Sequence, residues 1–78
     1  MKRVEILWQD ALSLSEWRLL IGAGDLLPMT IQTLGYLLEE TEKRIVIVSQ
    51  VEATERDDRI CADVHIIPRG GILSIKEI

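Results

Sequence analysis

Apolar and polar residues take turns along most of this chain, and the period is that of strands. "RVEILW", Arg3 to Trp8, is partly alternating and rich in strand formers, so it predicts a first short strand. "MTIQTLGYLLEE" follows Pro28 and predicts a second strand running to about Glu39, with Gly35 marking a bend or a close backbone approach. "ETEK" is a polar turn. "RIVIVSQVEA" gives the plainest strand, through its β-branched run Ile45 to Val48, and should form an antiparallel hairpin with the strand before it. "TERDDR" reads as a charged loop. In "ICADVHII", Ile60, Ala62, Val64 and Ile66 fall on one face and Cys61, Asp63, His65 and Ile67 on the other, and the first is expected to be the core face. "PRGG" turns the chain, and "ILSIKEI" is a fifth strand.

One stretch departs from this period. In "DALSLSEWRLLIGAGD", Ser13 stands three residues before Glu16, the spacing of a capping box, and Leu14, Trp17 and Leu20 share a helical face. A short helix over about 14–21 is expected, with Trp17 packed over the sheet and Gly22 or Gly24 in a left-handed C-cap. Five short strands after such a helix fit a mainly β fold in which a strongly bent sheet closes into a small barrel, since closure removes exposed strand edges. Pro68 cannot donate a ladder hydrogen bond and glycine readily takes positive φ. Pro68, Gly70 and Gly71 therefore read as the steep corner between the last two strands.

Size and charge narrow the picture. A chain of 78 residues is expected to be one domain, and it buries only about 60–65% of its unfolded surface, close to the lower limit for independent stability. A single cysteine makes no internal disulfide, and no Cys/His cluster is spaced for zinc, which leaves homo-oligomerisation as the expected source of extra stability. Cys61 is expected as a buried small hydrophobe in a reducing compartment. Glu5 and Asp10 interrupt the apolar run after Met-Lys-Arg, so no signal peptide is expected; nor is any run long enough for a membrane span. These features favour a soluble cytoplasmic protein. The net charge of −4 argues against a surface that attracts nucleic acid as a whole. Of the cations available for a local site, Arg56 and Arg59 are interleaved with Glu55, Asp57 and Asp58, which leaves Arg69.

The corner carries a resemblance. "IIPRGGILSI" resembles the end of small β-barrels in which a 3₁₀-like turn links the fourth and fifth strands: Ile67 with Pro68 follows the SH3-like pattern, and Ile67, Arg69, Gly70 and Ile72 follow the Sm-like one with Pro68 inserted. The implied fold is a five-stranded SH3-like or Sm-like barrel with one short N-terminal helix, and Sm-like proteins further imply rings that bind nucleotides or RNA. Across nearly the whole chain, "LWQDALSLSEW", "TLGYLLEE", "RIVIVSQ" and "IIPRGGILSIKEI" resemble small phage-encoded proteins, with Trp8, Asp10, Ala11, Trp17, Gly35, Tyr36, Pro68 and Ile75 carrying the likeness. That resemblance implies a viral accessory protein of the bacterial host cytoplasm, of a kind that includes sponges for nucleotide signals of host defence.

The residues themselves suggest no catalysis, cofactor or metal. "GAGD", Gly22 to Asp25, lacks the third glycine and the strand-to-helix order of a dinucleotide fingerprint. His65 has no second histidine nearby, and Glu16 already has a capping role that removes it from a carboxylate pair with Asp10. Trp8 and Tyr36 stand open between core packing and ligand contact. Stacking of a base on either, with a phosphate held by Arg69, would start a nucleotide pocket. Three functions follow. The first is an oligomeric, non-enzymatic module holding a small nucleotide-like ligand between subunits. The second is a structural or protein-interaction barrel docking on a host or phage protein. The third, disfavoured by the acidic balance, is an Sm-like RNA-binding ring.

Overall fold

The computed structural model describes residues 1–10, 17, 19–25 and 27–78. Five antiparallel strands form one sheet: β1 (Arg3–Asp10), β2 (Met29–Glu40), β3 (Arg44–Val51), β4 (Cys61–Pro68) and β5 (Ile72–Glu77). All five expected strands are present, with ends displaced by at most two residues. The order across the sheet is β4-β3-β2-β1-β5, which places the last two strands on opposite edges.

That order dictates the shape. The two edges of a flat five-stranded sheet lie about 19 Å apart, whereas the three residues Arg69–Gly71 joining β4 to β5 reach at most about 14 Å from Pro68 to Ile72. The sheet must curl to bring its edges together at this end. Bulges at Leu7/Trp8 in the β1–β5 ladder and at Leu37/Glu39 in the β2–β3 ladder supply local bending. Gly35 permits a close approach, since a Cβ there would lie 2.9 Å from the Val48 carbonyl oxygen.

The expected barrel does not close. β4 pairs only with β3 and β5 only with β1. The expected corner is present as a single 3₁₀ turn at Arg69–Gly71, with both glycines at negative φ, but it brings the two edge strands together only at that end of the sheet. The corner therefore carries the chain across to the far edge rather than folding it back beside β4.

Val4, Ile6, Ile45, Ile47 and Ile67 form the buried cluster on the concave face, and Trp8, Leu37 and Ile72 pack against it. The register explains the grouping, because Ile67 lies opposite Ile45, Leu37 opposite Ile47 and Trp8 opposite Ile72. This corrects the expected face of β4. Val64 and Ile66 lie opposite Val48 and Val46 on the outer face and stay exposed, while Ile67 belongs to the core. Cys61, expected to be buried, is exposed at the start of this edge strand.

The expected helix falls mostly outside the described residues. Those described within it are not helical: Trp17 and Leu19 have no regular structure, Leu20 lies in a bend and Ile21 in a turn. Gly22 does take a left-handed φ of 87°, and its carbonyl accepts the Asp25 N–H at 3.1 Å to close a short 3₁₀ turn, Ala23–Asp25. Trp17, expected against the sheet, is fully exposed at 103%. Among the described residues, no helix is long and apolar enough to cross a membrane.

Candidate functional site

The three residues expected to build a pocket are dispersed over the sheet. Trp8 lies on the concave face, where it packs on the core, and its indole Nε1–H donates to Thr33 Oγ1 at 2.9 Å. Tyr36 lies opposite Val48 on the outer face and is half-buried. Trp8 stands about 17 Å along β1 from Arg3, the residue opposite Tyr36, and alternation points the two rings to opposite sides. Arg69 sits at the corner. Its Nη2 donates to Glu40 Oε1 at 2.6 Å, its Nε to the Thr41 carbonyl at 3.0 Å, and its backbone N–H to the Lys43 carbonyl at 2.9 Å. The guanidinium thus clamps the β2–β3 turn to the β4–β5 corner, with a carboxylate already in the place of a phosphate. One chain does not bring the three together.

Two other arginines lie nearer a concavity. A cleft of about 410 Å³ opens between the outer face and the β3–β4 loop, with Met1, Leu38, Val48 and Val51 supplying apolar walls and Glu55, Arg56, Asp57 and Arg59 the charges. These four charges cancel. Arg56 is held by Glu52 at 3.0 Å and by Asp58 at 3.6 Å, and Arg59 donates to the Thr54 carbonyl at 3.2 Å. The Glu52–Arg59 loop is thereby tied to itself, and Ile60 returns it to the sheet through the Glu52 N–H, which donates to the Ile60 carbonyl at 2.9 Å. His65 is exposed and isolated on β4. Among the described residues, no group of three His, Cys, Asp or Glu is placed to hold a metal ion.

What the described surface does offer is uncovered apolar area. Trp17, Leu19, Leu20, Ile21 and Leu27, on the arm between β1 and β2, are all exposed, with Leu20 at 92%. On the outer face of the sheet, Leu34, Leu38, Val64 and Ile66 are each more than half exposed around the buried Val46 and Val48. Single surface leucines need no explanation, but contiguous patches of this kind on a small chain mark interaction surfaces. The sequence holds a signal for the arm: Leu19, Leu20 and Ile21 are consecutive, and three consecutive side chains cannot share one helix face, so one helix docked on the sheet could not bury them all. The outer face was signalled by β2 and β3, which are apolar on both alternating sets, in Leu34, Tyr36 and Leu38 as well as Leu37, and in Val46 and Val48 as well as Ile45 and Ile47.

No family model, curated protein or solved structure matches the chain.

Proposed function

We propose that the chain is a non-enzymatic association module that works by docking its apolar surfaces on another protein chain. The observation that carries this reading is the exposed apolar side chains of the described residues, Leu34, Leu38, Val64 and Ile66 on the outer sheet face together with Trp17, Leu19, Leu20, Ile21 and Leu27, on a sheet whose edge strands β4 and β5 have, among the described residues, no second strand partner. Side chains of this kind gain about 1.5–3 kcal/mol each on leaving water, so two protein surfaces so equipped have a strong reason to meet. The resemblance to small phage-encoded proteins supplies the setting of the proposal, an accessory protein acting in a bacterial host cytoplasm.

A second reading, a module that sequesters a nucleotide-type ligand at an oligomer interface, is favoured by the 410 Å³ cleft, which is of small-molecule size and has Arg56 and Arg59 above apolar walls. It ranks lower because the cleft's charges cancel and because Arg69 is engaged by Glu40. Trp8, Tyr36 and Arg69 would serve such a ligand only with groups from a second subunit.

Native mass spectrometry of the protein purified gently from bacterial cytoplasm separates the readings. An assembly whose mass is the sum of its protein chains supports the association module. Retention of a few hundred daltons per subunit, removed by washing with excess nucleotide, overturns it in favour of ligand sequestration. A bare monomer overturns both.

A further inference from the structure

Resting on that reading, we propose that the partner is a second copy of this chain, joined edge to edge: β4 of each copy pairs antiparallel with β4 of the other, through residues 64–67, about a two-fold axis at His65.

The phase of the backbone hydrogen bonds fixes which groups of β4 are free. The Arg69 N–H donates to the Lys43 carbonyl at 2.9 Å, so Ile67 and His65, two and four residues back in the same ladder, bond to Ile45 and Ile47. Val64, Ile66 and Pro68 then turn their backbone groups to the open edge, where β4 has no second strand partner among the described residues. This free run is bounded at both ends. Pro68 has no N–H to offer. Towards Cys61, the ladder skips the Ser49–Asp63 pair and Asp63 has a φ of 58°. Beyond that irregularity the Glu52 N–H donates to the Ile60 carbonyl, which is the opposite phase, so Ala62 turns its groups to β3.

What remains, Val64 and Ile66, is self-complementary in one register only. With His65 opposite His65, Val64 of each copy faces Ile66 of the other, and the bonds they exchange satisfy every free N–H and C=O of both residues in both copies. Centring the pair one residue earlier sets Ile66 against Ala62, whose groups are committed to β3. Centring it one residue later sets Val64 against Pro68 and leaves the Val64 carbonyl without a donor.

The side chains agree with this register. Val64 and Ile66 lie on the outer face, each more than half exposed, and in the pair each meets the other's β-branched chain and extends one apolar row across the junction. No Asp, Glu, Lys or Arg falls within 64–67, and Asp63, next along the strand, accepts from Gln50 of its own chain at 2.9 Å. The other edge is guarded by charge. Ile78 donates its N–H to the Arg3 carbonyl, so Ile75 and Glu77 hold the free groups of β5. A two-fold pair there would set Glu77 against Leu73 or Lys76 against Lys76, and charges of this kind are a common guard against edge pairing. So short an edge buries less than about 1,200 Å², which makes the β4 pair a weak, reversible contact.

The test is a register-specific crosslink. In the Cys61→Ser background, which removes the native thiol, His65→Cys puts two cysteines directly opposite each other with Cα atoms about 4.5 Å apart, within disulfide reach. Ile66→Cys, at an equally exposed site, leaves them about 9 Å apart, beyond reach. Oxidised glutathione is the oxidant: two thiols become one disulfide as it is reduced to two glutathione thiols. His65→Cys is expected to give crosslinked dimer at least about tenfold faster than Ile66→Cys. Adding Ile66→Pro to the His65→Cys chain deletes an N–H that faces the open edge and spares the bonds to β3. It should abolish the crosslink while the far-ultraviolet circular dichroism stays unchanged. Equal rates for the two cysteine variants, or a crosslink that survives Ile66→Pro, overturn the β4 pair. A heavier assembly of the wild-type protein from bacterial cytoplasm would then leave the association module standing with another partner or surface, and a bare monomer there would remove both.

Discussion

The two adjacent glycines of the corner have different jobs, and substituting each by alanine separates them. A Cβ on Gly71 would lie 2.8 Å from the Gln9 carbonyl oxygen, about 0.6 Å inside ordinary contact, whereas a Cβ on Gly70 meets nothing within 4 Å. The obstruction at Gly71 is backbone, so it cannot swing aside as a side chain would. Relief requires the Arg69–Gly71 turn to move off β1, and Ile72, which follows directly and packs on the core opposite Trp8, must move with it. Overpacking of this kind costs about 1–3 kcal/mol, offset by about 0.4–1 kcal/mol from the smaller entropy of the unfolded chain. Gly71→Ala should therefore lose about 1–2 kcal/mol. Neither glycine has positive φ, so Gly70→Ala meets no backbone strain and should gain about 0.4–1 kcal/mol. In a domain of this size 1 kcal/mol corresponds to about 4–8 °C, so thermal unfolding followed by circular dichroism should place the two variants on opposite sides of the wild type. Equal shifts of the same sign would refute the assignment of the close approach to Gly71 alone.

Three further outcomes follow from the sheet. Ile47→Ala empties a fully buried site at the centre of the core and should cost about 2–5 kcal/mol, much of the stability expected for a chain of this length, so urea unfolding should find it largely unfolded or close to it at room temperature. Asp63 has φ of 58° in edge strand β4, a conformation that aspartate and asparagine tolerate better than other side chains; Asp63→Val should cost about 1–2 kcal/mol and Asp63→Asn much less, measured in the same urea titration. Arg69→Ala removes the half-exposed Glu40 pair and the bond to the Thr41 carbonyl, and should lower stability by about 1 kcal/mol at low salt; insensitivity of that loss to added salt would show that the ion pair contributes little of it.

Strands were the legible part of this sequence, because alternation and β-branched runs report a local preference that the sheet then satisfies. The hairpin of β2 and β3 and the close approach at Gly35 follow from the same local signals. Which face of β4 turns inward was not legible. Ile60, Ala62, Val64 and Ile66 make the better alternating set, but the core face is decided by register with β3, and register places Ile67 opposite Ile45. The corner and its 3₁₀-like turn were legible in Pro-Arg-Gly-Gly, but closure was not, because a corner joins the edge strands β4 and β5 at one end only and a local turn motif does not decide whether they pair along their length. The capping pattern at Ser13 and Glu16 outweighed the contrary signal of three consecutive apolar residues, and so Trp17 was expected under cover. Trp8, Tyr36 and Arg69 were grouped by residue type, and residue type carries no information about strand parity; the sheet sends the two rings to opposite faces and gives Arg69 to Glu40.

The central claim is that the exposed apolar surfaces of this chain are an interface, and the wild-type mass in solution tests it most directly. Sedimentation of the protein purified gently from bacterial cytoplasm should show the 8.9 kDa chain carried within a heavier protein assembly. A single bare 8.9 kDa species would contradict it.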